Sequence, residues 1–371
     1  MSPNDARSQN QKDALVKGQG EPRLFAEMPK LVGKVPYVAL VERPTPVALC
    51  SAISEYLGRN DVWMKRDDLA SPIFGGNKIR RFEHILADAQ ERGAKVLVTV
   101  GGLASTQVTA TLLLGRALGF EVTSVLFDQP VTSFTRKTLL VQASAGGRLI
   151  HGGGYINTAL QTAFVLARTR RAYFIPPGAS SPMANLGYVG AMFELADQVE
   201  RGELPRPDII VTAAGSGGTV AALSLGIMLL GWKTKVVGVR ITERVACNRV
   251  TVRFLVEATA RFLRRRAGGL TRRKLADPCF EIDHDAAGRG YGYPTKEAIE
   301  AVPEVTRLLG TPGEITYSGK ALVGLRRVCA ANPGKNILLW NTLSSRWPEP
   351  TVGRELLPRG LSRVFDGDVP I

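Results

Sequence analysis

Residues 209–232 read IIVTAAGSGGTVAALSLGIMLLGW, an uncharged run in which β-branched residues lead into glycines and then an apolar tail. Ile209 to Ala213 has the composition of a buried strand, Gly215-Ser216-Gly217-Gly218-Thr219 that of a loop, and Val220 to Leu230 that of a buried helix. A second uncharged run, Val96 to Gly115, repeats the plan around Gly101-Gly102. Both runs are long enough to suggest membrane spans. The central glycines argue otherwise, because an unwound backbone in lipid leaves its polar groups unsatisfied.

Moving outward, the same alternation fills the chain. Lys78 to Arg92 carries Ile79, Phe82, Leu86 and Ala89 on one helical face. Lys95 to Val100 reads as a strand and Ser105 to Leu118 as a helix. Val122 to Phe127, Arg148 to His151, Ala172 to Ile175, Lys235 to Ile241 and Asn336 to Trp340 read as further strands. This order predicts an α/β protein with parallel sheets and helices on both faces. The count suits two domains: a smaller one over 87–187, inserted into a larger one built from 36–86 plus 188–371. A ligand then lies in the cleft between them, at the C-terminal ends of strands. Residues 1–35 read as a disordered or loosely packed lead-in. A plain dinucleotide-binding fold is disfavoured, since no G-x-G-x-x-G follows the first strand.

Composition narrows the function. Four cysteines (Cys50, Cys247, Cys279, Cys329) lack CxxC spacing and only three histidines are present, which excludes a zinc ribbon or disulfide scaffold and suits a reducing compartment. The polar start has no apolar signal core, so a cytoplasmic protein is expected. The net charge of +15 is concentrated between Arg244 and Lys274. Val252, Leu255, Val256, Ala258 and Phe262 give that segment a buried stripe, and no aromatics are interleaved for base stacking. It reads as a solvated helix face rather than a nucleic-acid site.

Four segments could carry chemistry. Gly215 to Thr219, between strand and helix, can bring backbone N–H groups and the Thr219 hydroxyl to an anion such as a phosphate; a bare tight turn is the simpler account. In Gly75-Gly76-Asn77-Lys78, the lysine sits at a helix N-terminus, where the dipole disfavours its ammonium and favours an amine nucleophile. Most lysines are merely solvated, and Lys65 and Lys320 are equally eligible. Gly101 to Gln107 offers N–H groups with Ser105 and Thr106 for a carboxylate, or Ser105 is a simple N-cap. Tyr291 and Tyr317 stand among small residues, where a phenol can reach a cleft as acid or base, or pack with a satisfied hydroxyl.

Taken in order, these segments resemble the D-cysteine desulfhydrase / 1-aminocyclopropane-1-carboxylate (ACC) deaminase family, pyridoxal-phosphate (PLP) enzymes of the tryptophan-synthase β fold (fold type II). The resemblance runs from about Pro44 to Thr342. It rests on Arg43-Pro44-Thr45-Pro46, Lys65-Arg66-Asp67-Asp68-Leu69, Gly75 to Arg80, Pro177 to Ser180 with Leu186-Gly187-Tyr188, and Gly215 to Thr219. It implies that Lys78 holds PLP covalently, beside Asn77, and that Gly215, Ser216, Gly217, Gly218 and Thr219 form the phosphate cup. It also implies that Tyr291 and Tyr317 are the two active-site tyrosines and that Thr342 faces the pyridine nitrogen. A homodimer acting on a small amino acid is implied as well.

The departures are specific. Where the family has Gln-Ser-Asn-His or Gln-Ser-Asn-Gln, this chain has Ala104-Ser105-Thr106-Gln107, so Thr106 takes the place of the asparagine beside the PLP phenolic oxygen. Thr109 replaces an arginine, Leu343-Ser344 a glycine pair, and Ser318 the glutamate found in ACC deaminases. The expected activity is therefore α,β-elimination of D-cysteine or a related β-substituted amino acid, giving keto acid and ammonia. Lys78 would act as base at Cα and Ser105 would clamp the carboxylate. A PLP enzyme of changed specificity in a biosynthetic pathway, ACC-type ring opening included, is the first alternative. A PLP- or amino-acid-binding protein with little catalysis is the second.

Overall fold

The computed structural model describes residues 20–59, 61–268 and 279–369. The strands are β1 (Val47–Leu49), β2 (Val62–Arg66), β3 (Val96–Gly102), β4 (Glu121–Phe127), β5 (Arg148–Gly153), β6 (Ala172–Ile175), β7 (Ile209–Ala214), β8 (Lys235–Arg240), β9 (Phe280–Asp283) and β10 (Ile337–Asn341). Six form one sheet in the order β1-β2-β10-β7-β8-β9, and four form another in the order β5-β4-β3-β6. Every pairing is parallel except β1 with β2.

The helices are α1 (Arg23–Glu27), α2 (Ser51–Tyr56), α3 (Asn77–Glu91), α4 (Thr106–Ala117), α5 (Ser133–Ser144), α6 (Tyr155–Arg168), α7 (Leu186–Glu200), α8 (Gly218–Leu230), α9 (Arg249–Ala267), α10 (Lys296–Leu309), α11 (Ser318–Ala331) and α12 (Arg359–Ser362). They cover both faces of both sheets. On β7, Ile210 packs with Leu24, Met192, Leu223 and Val252 from α1, α7, α8 and α9, while its neighbour Val211 packs with Ile53, Leu308 and Leu325 from α2, α10 and α11. Burial on both faces is why β7 is apolar throughout rather than alternating. In the smaller sheet Leu97 and Leu126 pack on α3, α4 and α5, and Val98 and Val125 pack on α6.

Several expectations need correction. From residue 20 on, the lead-in is packed: Leu24 and Leu31 are fully buried in the core under α7 and α8; residues 1–19 lie outside the described residues. The expected boundary between 86 and 87 falls inside α3, whose Phe82 and Leu86 share one cluster with Leu97 and Leu126. The C-terminal stretch, expected with the larger domain, places Leu357 and Leu361 in that same cluster. Strand β2 escaped notice because it contains Lys65 and Arg66. Lys65 is nonetheless fully buried, its Nζ 2.7 Å from Glu194 Oε1 and 2.7 Å from the Thr45 carbonyl. The Glu and Asp of Phe280–Asp283 masked β9 in the same way.

The basic segment does form a helix, α9, with Val252, Val256, Ala260 and Leu263 inward; Leu255 and Phe262 are only partly covered. Arg272-Arg273-Lys274 lies outside the described residues. Among the described residues no helix is long and apolar enough to cross a membrane.

Candidate active site

In the larger sheet β7 is flanked by β8 on one side and β10 on the other, so the strand order changes direction there; in the smaller sheet β3 lies between β4 and β6 in the same manner. Crevices form where the order reverses, beyond the C-terminal ends of the strands. The two crevices face each other around a cavity of about 580 Å³, with Gly101 and Gly102 from the end of β3 on one side and Ala213 and Ala214 from the end of β7 on the other.

The Gly215–Thr219 turn closes one end of the cavity. Helix α8 starts at Gly218, two residues earlier than its apolar pattern indicates, so the N–H groups of Gly218 and Thr219 belong to the first helical turn. Gly217 has φ 77°, and a Cβ on Gly218 would strike Ser180 Oγ, Arg81 and Asn185. Around the turn, Ser180 and Ser216 hydroxyls lie 2.7 Å apart and Asn77 Nδ2 lies 3.4 Å from Thr219 Oγ1.

Arg81 completes this arrangement, and the sequence reading missed it. Its guanidinium donates to the Gly178 carbonyl at 2.7 Å, Ser180 Oγ at 2.8 Å and Thr219 Oγ1 at 2.8 Å. Its buried Nε has no partner, and burial lowers the group's pKa to about 10. Arg81 lies three residues beyond Lys78 on α3, a spacing that puts both on one helical face; that spacing was the available signal. A buried cation with an orphaned donor, beside helix N–H groups and hydroxyls, is a donor set that fits a phosphate.

Lys78 lines the cavity in the first turn of α3. Burial first, and then the charge of Arg81, hold its amine well below the usual lysine range. Among the described residues it has neither an ion pair nor a side-chain hydrogen bond, unlike the other two eligible lysines. Lys65 is bound to Glu194, and Lys320 donates to the Ala287 carbonyl at 2.8 Å and the Gly290 carbonyl at 3.4 Å. The turn before Lys78 is tight. A Cβ on Gly75 would overlap the Asp68 carbonyl, and the Asn77 N–H donates to the Thr342 carbonyl at 3.2 Å.

On the opposite side Ser105 is the N-cap of α4 and accepts from the Val108 N–H at 3.3 Å. Ser105 lines the cavity together with Tyr291 and Tyr317, whose phenol oxygens lie 2.6 Å apart. Burial raises the Tyr317 pKa to about 12 and, with Tyr317 beside it, pushes that of Tyr291 well above its ordinary value. Thr106 is buried and does not line the main cavity. Thr342, expected there, borders a small adjoining space with Tyr317 and Ala213 instead.

Two further residues had no sequence signal. Gln129 Oε1 accepts from the Ala104 N–H at 3.0 Å, so that amide of the β3–α4 loop is taken. Glu243, at the rim, accepts from Thr242 Oγ1 at 2.6 Å, the Tyr291 N–H at 3.3 Å and the Tyr155 phenol at 3.3 Å. Although burial opposes it, these bonds hold the Glu243 carboxyl below its ordinary range.

A buried lysine without a partner among the described residues, a donor set that fits a phosphate and a buried phenol pair line one cavity between the two sheets. The family model described as "Pyridoxal-phosphate dependent enzyme" matches residues 38–342, and the chain belongs to that family. A putative 1-aminocyclopropane-1-carboxylate deaminase from Thermotoga maritima is 32% identical over 307 residues, 81% of this chain and 93% of that protein. D-cysteine desulfhydrase from Salmonella paratyphi B is 31% identical, covering 79% and 88%. Among solved structures, one described as an ACC deaminase homologue superposes with a TM-score of 0.72 at 31% identity over 88% of this chain and 97% of that one. Maize serine racemase, at 15% identity and a TM-score of 0.56 over 87% of this chain and 94% of that one, shares the fold. The chain is thus a PLP-dependent enzyme with the fold type II architecture.

Proposed function

We propose that the chain is a lyase that eliminates the β-substituent of a small amino acid, D-cysteine or a relative, releasing keto acid and ammonia. The observation that carries this reading is the placement of Lys78, its amine pushed well below the usual lysine range by burial, in the same cavity as the Gly215–Thr219 turn. Lys78, with Asn77 beside it, would hold the cofactor's aldehyde end; the turn and Arg81 would hold its phosphate. Bound PLP supplies a sink for negative charge at the substrate Cα. Lys78 Nζ takes the Cα proton, for which a neutral amine is required. Tyr317, in concert with Tyr291, gives a proton to the departing group. Ser105 and free N–H groups of its loop orient the substrate carboxylate. Thr342 supports the Lys78 turn through its carbonyl.

Ring opening of ACC is less favoured. Position 318 is a serine whose Oγ accepts from the Glu314 N–H at 2.9 Å, so no carboxylate follows the second tyrosine. The four cysteines are all free, which supports a cytoplasmic setting; homodimerisation rests on the family likeness.

The test is direct. Purified protein supplied with PLP should be yellow, with a visible band that borohydride removes and that Lys78→Ala abolishes, and should release pyruvate and sulfide from D-cysteine. A protein that takes up no PLP would overturn the proposal.

A further inference from the structure

The cavity is longer than its chemical end requires. Helix α6 forms one wall, presenting Tyr155, Ala159, Ala163 and Leu166 to the cavity. These positions follow one helical face, and eleven residues of helix rise about 16 Å. Phe127 and Phe174 continue the wall from β4 and from β6, and the fully buried Ile241 also lines the cavity. The two alanines leave width that larger side chains would fill.

The charge pattern of the lining is one-sided. Among the described residues that line the cavity, the charged side chains are Lys78, Arg81 and Glu243. The two cations stand at the end closed by the Gly215–Thr219 turn, where Arg81 bonds to Thr219. The Glu243 carboxylate is already engaged by Thr242, Tyr155 and the Tyr291 N–H. Tyr155, Ala159 and Ala163 are exposed, and apart from the hydroxyls of Tyr155, Thr158 and Thr162 this wall offers no polar side-chain group. A charged group along it gains no ion pair there, whereas an apolar one would remove the α6 wall from water.

Resting on the lyase reading above, we propose that the preferred substrates are S-substituted cysteines whose sulfur carries an extended apolar group, alkyl or aryl, lying along α6. In the reaction the Cα–H and Cβ–S bonds break, and sulfur leaves with the bonding pair and a proton as the free thiol. One water then converts the three-carbon remainder to pyruvate and ammonia. No oxidant or reductant is consumed.

The experiment uses the full chain reconstituted with PLP. The substrates are D- and L-cysteine, their S-methyl, S-butyl and S-benzyl derivatives, and ACC, followed by pyruvate and thiol release. The kcat/KM should rise roughly threefold to fourfold per added methylene over the alkyl series, with S-benzyl at least tenfold above free cysteine. Unreactive straight-chain 2-amino acids of increasing length, followed by their perturbation of the visible band, should bind more tightly in the same order. Ala163→Phe and Ala159→Leu should each lower kcat/KM for the S-benzyl substrate at least tenfold more than for cysteine. Free cysteine outperforming every S-substituted compound would overturn the inference while leaving the lyase reading intact, and ACC outperforming them all would overturn both. So would equal losses for all substrates in both alanine variants. Absence of the visible band with every compound inert would instead sink the underlying reading.

Discussion

The phenol oxygens of Tyr291 and Tyr317 lie 2.6 Å apart, although one tyrosine sits in the loop before α10 and the other caps α11. Either oxygen can be the donor in this bond, so the two phenols can share one proton.

The pair therefore acts as a unit. Tyr317→Phe and Tyr291→Phe should each lower kcat by about 10²-fold or more, in the range of general acid–base groups. The double variant should be scarcely worse than the more damaged single one, because the two groups are coupled. Cofactor uptake, read from the visible band, should persist in all three.

Arg81 has two separable effects. Arg81→Gln should weaken PLP binding about tenfold or more through lost contact with the phosphate. The same change removes the charge that depresses the Lys78 pKa, so that pKa rises. The acidic limb of the rate of adduct formation should then move to higher pH. Pyridoxal, which lacks the phosphate, isolates this second effect.

The buried lattice around Arg80 sets stability. Arg80 donates to Asp67 and Glu194, which also receive Trp340, Tyr188 and Lys65. Glu194→Ala should cost about 3–5 kcal/mol in denaturant unfolding, as expected when one partner of a buried charge pair is removed. Despite burial, Arg80 and Lys65 hold the Glu194 carboxyl far below its ordinary range. Its stabilisation is thus complete above the unfolded glutamate value of about 4.3 and is lost as pH falls toward the folded value. Glu194→Gln should show a shallower acid-induced loss than the parent.

Lys320 pins the loop that carries Tyr291 through the Ala287 and Gly290 carbonyls. Burial lowers its pKa to about 8, so the ammonium that makes these bonds is present below that pH and lost above it. The parent kcat should decline above about pH 8, while Lys320→Met should show a lower and flatter profile there.

The sequence exposed the parts of the fold whose residues obey one environment. The run from Ile209 is buried on both sides and reads as a strand, and the turn at Gly215 cannot be helix interior. Lys65 defeated the same logic: a charge within a strand looks like surface until its distant partner is known, and Glu194 lies 129 positions from Lys65; Glu281 is in fact exposed, on the edge strand β9. The site divides similarly. Local residue types made Lys78, the 215–219 turn and the tyrosines candidates, and the family resemblance singled out Lys78 over Lys65 and Lys320. Glu243 and the α6 wall reach the cavity, and Gln129 the β3–α4 loop, only because of how two sheets face each other, and no nearby pattern marks them. The family likeness placed Thr106 and Thr342, but it could not show that the first lies buried off the main cavity and the second beside a side chamber.

Helix α3 begins against the larger sheet, anchored by Arg80, and ends in the core of the smaller one through Phe82 and Leu86. One continuous helix therefore ties the two halves together, and Lys78 and Arg81 stand on it to either side of Arg80's anchor, Arg81 next to the Phe82 contact. A substitution that loosens either core would disturb the placement of both side chains.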